Sequence, residues 1–95
     1  MNKADIRNYV VVEYIKNNGN HLFISDIAKA CGTNAVSVRS ALDEDLNGFD
    51  YFQADRWSGS SFSGRHMQSW AVEPSKTLLL RILITQQGSK QLYTI

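Results

Sequence analysis

Residues 25–42 read SDIAKACGTNAVSVRSAL, and the fold turns on them. Ser25 offers a hydroxyl to the amides of the turn that follows, and Asp26 puts a carboxylate where a helix start is electropositive. A helix is therefore predicted from Asp26 to about Cys31. Gly32-Thr33-Asn34 interrupts it, with Gly32 supplying the positive φ of a tight turn. Thr33 or Asn34 then caps a further helix, Ala35 to about Leu46, whose apolar Ala35, Val38, Ala41 and Leu42 share one face.

Upstream, Asn2 stands three residues before Asp5, a capping-box-like start, and Asn17-Asn18-Gly19 suits a helix end. Val10-Val11-Val12 is β-branched and compatible with a strand, but Ile6, Val10, Val11, Tyr14 and Ile15 make a broad helical face, so Asn2–Asn18 is predicted helical. His21-Leu22-Phe23-Ile24 is too short for a helix and is read as a strand.

Downstream, Asn47-Gly48 ends the third helix. Phe49–Trp57 and Met67–Val72 are rich in aromatic and β-compatible residues and flank the Ser/Gly-rich stretch Ser58–Arg65, the pattern of a long-looped hairpin. Pro74 closes the second strand. Ser75 is placed to cap a last helix running to Gln87, with Gly88 as its stop; a strand over Thr77–Thr85 is the competing reading, because Leu78-Leu79-Leu80 has no periodicity. There is no internal repeat.

The chain has 95 residues, 43% of them hydrophobic, enough for one modest core and too few for two domains. Its formal net charge is only +1, so any electrostatic role rests on how charge is distributed. From Met1 to Asp55 five basic residues face eight acidic ones, while from Arg56 to Ile95 five basic residues face Glu73 alone. The basic surface is thus expected in the second half. No apolar signal core follows Met1, and the longest apolar stretch, Leu78–Ile84, is broken by Arg81, so a cytoplasmic location is expected. The single cysteine, Cys31, excludes an internal disulfide and fits a reducing compartment. Cys31, His21 and His66 lack the paired spacing of a zinc site, and a buried Cys31 is expected. No glycine-framed serine, phosphate-cradling loop or catalytic carboxylate pair is present, so neither an enzyme nor a cofactor is predicted.

The order helix, short strand, helix, turn, helix, hairpin resembles the winged helix, and residues 25–42 resemble its helix-turn-helix. Ile27 stands as the buried branched aliphatic of the first helix, Ala28 as the small residue where the helices cross, Gly32 as the turn glycine, and Val38 and Ala41 as anchors of the second helix. The resemblance covers roughly Asn2 to Val72. The expected fold is α+β: a winged helix-turn-helix domain over 1–74, and over 75–95 a C-terminal apolar helix or strand that packs on the domain or forms a dimer contact.

This resemblance implies sequence-specific binding of duplex DNA by a small transcriptional regulator of phage, plasmid or operon-control type. The second helix would enter the major groove and the wing would lie on the backbone or in the minor groove. With Val38 and Leu42 inward, the candidate DNA contacts are Asn34, Ser37, Arg39 and Ser40 on that helix and Arg56, Arg65 and His66 flanking the wing loop, which carries Phe62 near its tip. The run Asp43-Glu44-Asp45 stands against this, since carboxylates near phosphates cost energy unless the helix enters by its N-terminal end. Tyr51, Phe52, Trp57 and Trp70 are read as alternating between core and surface. Leu78, Leu79, Leu80, Ile82, Leu83 and Ile84 are apolar nearly all round and point to a homodimer. The rival reading is a protein-interaction module that binds a polymerase or host factor through the acidic helix and the apolar tail.

Overall fold

The structure, a computed structural model, describes residues 1–58 and 65–84, with side chains considered outside 57, 58, 65 and 66. Helix α1 spans Lys3–Lys16, strand β1 Leu22–Phe23, helix α2 Ile24–Ala30, helix α3 Ala35–Asp43, strand β2 Phe49–Ser58 and strand β3 Arg65–Pro74. Helix α4 occupies 76–84, so the described residues form four helices and a three-stranded sheet of order β1-β3-β2, antiparallel throughout. The fold class is α+β. The wing-loop residues 59–64, Phe62 among them, and the tail from 85 lie outside the described residues.

α1 starts with a full capping box: the Asn2 side chain accepts from the Asp5 amide at 2.9 Å, and the Asp5 carboxylate accepts from the Asn2 amide at 3.3 Å. Its Val10-Val11-Val12 run is helical because Ile6 and Val10 reach the core, where burial outweighs the small helix penalty of β-branched residues. The helix closes at Asn17, with Asn18 and Gly19 in the left-handed region at φ 59° and 81°.

Several predicted boundaries move. β1 has two residues, not four, and α2 begins at Ile24 rather than Asp26. Leu22 and Phe23 pair with Val72 and Ala71, and Ile24 is drawn into the core at once. Phe23 therefore becomes the N-cap with no side-chain bond, and Ser25 caps nothing; its hydroxyl accepts from Arg56 instead. α3 stops at Asp43, short of Leu46. Asn47 turns left-handed at φ 64°, and a Cβ at Gly48 would lie 2.6 Å from the Asp45 carboxyl carbon, so a side chain there would have to displace that carboxylate.

The core gathers Ile6 and Val10 of α1, Ile24, Ile27 and Ala28 of α2, Val38, Ala41 and Leu42 of α3, and Val72 of β3. The sheet alternates as its register requires: Leu22, Val72 and Tyr51 form a row on the helix side, and Phe23, Ala71 and Phe52 a row on the other. His21 rests edge-on against Phe23 and Phe52 on that far side, with ring centroids 5.4 and 5.1 Å away. Cys31 is half-buried against the core rather than enclosed in it.

The competition over residues 77–85 resolves as helix as far as 84. The Ser75 oxygen accepts from the Leu78 amide at 3.1 Å, and its hydroxyl donates to the Asn47 carbonyl, so one residue caps α4 and fastens it to the turn before β2. Leu78 is buried against the body, whereas Leu80, Leu83 and Ile84 are 57, 53 and 61% exposed.

Gly32 joins α2 to α3 at φ 66° with no atom within 4 Å of where a Cβ would stand, so its requirement is one of backbone conformation alone. Gly32→Ala is expected to cost about 1 kcal/mol, and Gly32→Asn, which tolerates the left-handed region better, less. Urea midpoints check this; equal stability of the alanine and wild-type proteins would refute it.

Candidate functional site

α3 owes its start to Asn34, whose side-chain oxygen accepts from the Ser37 amide at 2.9 Å. Val38, Ala41 and Leu42 face inward, leaving Val36 78% exposed, Ser40 exposed and Ser37 half-buried. Ser37 and Ser40 thus share an outward surface of α3 with Val36, while the Asn34 side chain caps the start of the helix.

Arg39 lies on the flank toward the sheet. Its guanidinium carbon is 4.8 Å from the Tyr51 ring centre and 5.0 Å from that of Trp70, so it is held by two aromatic rings. Trp70, opposite Gln53 in the hairpin, is itself 48% exposed. The Tyr51 hydroxyl donates to the Asp43 carboxylate at 2.7 Å. Burial chiefly, then that bond and the Asp43 charge, push the Tyr51 phenol up, with Arg39 pulling slightly the other way. The hydroxyl therefore stays protonated and remains a donor. A shallow groove of about 260 Å³ runs beside this stack, lined by Ile24, Ser25, Ala35, Arg39, Ser69 and Trp70.

Arg56 belongs to another cluster. It pairs with Asp26 at 2.7 Å, donates to Ser25 at 3.0 Å and lies 4.9 Å from the Phe23 ring centre, which ties the β2–β3 hairpin to the first turn of α2. Arg65 and His66 open β3 opposite Ser58 and Trp57, and their side chains lie outside the described residues. The structure thus sets Ser37 and Ser40 beside Val36 on the outer surface of α3, puts Arg39 on the other flank toward the sheet, and leaves Arg56 apart among local partners.

The acidic run is engaged residue by residue. Asp43 holds Tyr51. Glu44 accepts from Lys3 at 2.9 Å and Arg7 at 3.3 Å, while Arg7 also donates to the Ala41 carbonyl at 2.9 Å near the end of α3. Asp45 receives Arg81 of α4 on both oxygens at 2.9 Å. The Lys3 hydrogen bond chiefly, joined by the Lys3 charge and by Arg7, holds the Glu44 carboxyl below the ordinary glutamate range against the opposing effect of burial. Burial raises the Cys31 thiol, which disfavours a reactive thiolate.

The residues that sequence reading missed are Tyr51 and Trp70 as the two walls around Arg39, and Ser25 and Asp26 as partners of Arg56. Compared with protein-family models, curated sequences and solved structures, the chain matches none. Among the described residues no helix is long and apolar enough to cross a membrane.

Since the folded-state pKa of Glu44 is lowered, its contribution to stability is present above the ordinary glutamate range and is lost as pH falls through the folded value. Glu44→Gln is expected to lower the melting midpoint at neutral pH and to match wild type once pH lies below that range. Thermal melts at neutral and acid pH check it; a gap that persists in acid would refute the assignment.

Proposed function

We propose that this chain is a small cytoplasmic transcriptional regulator of winged-helix type. In this reading it binds duplex DNA with α3 in the major groove and the β2–β3 hairpin on the backbone or in the minor groove. It needs no cofactor and carries out no reaction. The observation that carries the reading is the outer surface of α3: Ser37 and Ser40 offer small hydrogen-bonding groups beside an exposed Val36, with Asn34 exposed at the start of the helix, on a helix whose other side is spent on the core. An apolar contact of that kind suits a thymine methyl, and hydroxyls or an amide suit base edges.

The acidic run weighs less against DNA than its composition implies. Glu44 and Asp45 are matched by Lys3, Arg7 and Arg81 within the chain, and all three carboxylates stand at the C-terminal end of α3, away from the Asn34 end that would enter the groove first. The same pairing takes from the rival protein-interaction reading one of its two proposed contacts. Its other contact, the exposed Leu80, Leu83 and Ile84 on α4, fits a second copy of the chain, which would set two α3 helices on adjacent half-sites.

Titrated into a labelled mixed-sequence duplex, the protein should bind at low salt and weaken by about tenfold or more near physiological salt. Ser40→Glu, on an exposed position, should weaken binding further by about tenfold while leaving the melting midpoint nearly unchanged. Fluorescence anisotropy decides: no binding at low salt, or binding indifferent to Ser40→Glu, refutes this use of α3. Sedimentation equilibrium should find a dimer at micromolar concentration that Leu83→Asp dissociates; a wild-type monomer at high micromolar concentration refutes the α4 pairing.

A further inference from the structure

Arg39 is the one basic side chain of α3, and its surroundings differ from those of the other cations near it. Lys3, Arg7, Arg56 and Arg81 each meet a carboxylate, whereas Arg39 meets none among the described residues. Two aromatic rings, Tyr51 at 4.8 Å and Trp70 at 5.0 Å, hold it instead. Rings engage the face of a guanidinium and leave its N–H groups, which lie in its plane and point outward from the edge, unspent. Arg39 also lines two surfaces at once, the groove with Ser25, Ser69 and Trp70 and the outer surface with Val36, Ser40 and Asp43, so it stands on the ridge between them.

Tyr51 is fixed in turn. Its ring packs against the core and its hydroxyl is bonded to Asp43, one turn along α3 from Arg39. Trp70 comes from β3, on the sheet face it shares with Tyr51. Helix and wing therefore contribute jointly to the posture of a single arginine.

We infer that Tyr51 and Trp70 are positioning residues that hold the Arg39 guanidinium edge outward for bidentate capture of a guanine. The wing, and not α3 alone, then sets the sequence preference. This rests on the DNA-binding reading above. A guanine offers two acceptors side by side in the major groove, the pairing that a planar fork matches and an ammonium does not. Restricting the fork before binding reduces the ordering cost at contact.

The test is selection from a pool of random duplexes with wild type, R39K, W70A and W70F, beside anisotropy on a mixed-sequence duplex and melting midpoints. Wild type should enrich a site with a fixed guanine, preferred by about tenfold over other bases. R39K and W70A should reduce that preference to about threefold or less, and W70A, which leaves Arg39 itself in place, should keep mixed-sequence affinity within about twofold, since phosphate contacts carry the latter. W70F, which keeps a flat ring, should restore most of it. Should W70A fail to fold, W70L keeps apolar bulk without a flat ring and carries the same expectation. A guanine preference unchanged in W70A or W70L, or a selected site with no guanine that depends on Arg39, overturns the inference and leaves DNA binding standing. Failure of wild type to bind either the pool or the mixed duplex at low salt overturns both.

Discussion

α3 is gripped along one narrow stripe. Val38 and Ala41 have no exposed surface and Leu42 has 1%, packed among residues of α1, α2 and β3. Burying a valine or leucine side chain contributes about 1.5–3 kcal/mol each, whereas an exposed ion pair contributes about 0–1 kcal/mol. The stripe therefore fixes the rotation of the helix, and the charged contacts around it only refine the outcome. Once Val38 and Leu42 are inward, a helix turning about 100° per residue must carry Arg39 toward the sheet and leave Val36 and Ser40 in solvent. The chemistry of the surface follows from the packing of the core.

The carboxylates that follow α3 have a directional role of this secondary kind. Asp43 reaches β2 through Tyr51, Glu44 reaches α1 through Lys3 and Arg7, and Asp45 reaches α4 through Arg81. One end of one helix is thereby joined to three neighbours, and the close approach of Gly48 to Asp45 sets the chain on its way into β2. A run of acidic residues that composition alone presents as a repulsive patch is, in the folded chain, a set of separate attachments. Their individual energies are small, and their effect lies in where they hold the elements.

Much of this was legible in the sequence. Helical periodicity and the capping pair Asn2 and Asp5 located α1; Gly32 marked the break between α2 and α3, and Asn34 was one of two caps proposed for α3. What failed to show was whatever depends on pairing across distance. Ser25 has the chemistry of a cap, but the burial of Ile24 started α2 two residues too early for it to act as one, and Arg56 took its oxygen. Trp70 was assigned only to an alternation of core and surface, because a hairpin closed by a long Ser/Gly loop does not announce its register. Without the pairing of Gln53 with Trp70 and Tyr51 with Val72, nothing brings those two rings to the same arginine. The acidic run misled for the same reason, its partners Lys3, Arg7 and Arg81 lying 41, 37 and 36 residues away.

In the DNA-binding reading, these ion pairs limit how the molecule would hold a nucleic acid. Among the basic side chains described, Lys3, Arg7, Lys16, Arg56 and Arg81 are in ion pairs and Arg39 lies against two rings, while Lys29 and Lys76 are exposed and meet no carboxylate among the described residues. A cation already matched within the protein releases fewer counterions on meeting a phosphate, since part of what it gains there it gives up at its carboxylate. The described surface is thus poorly provided for indiscriminate attraction to a polyanion, in keeping with a net charge of only +1. In that reading, phosphate contacts would supply a modest affinity for any duplex. With so few free cations among the described residues, the discrimination between sequences would fall to Val36, Ser40 and the edge of Arg39.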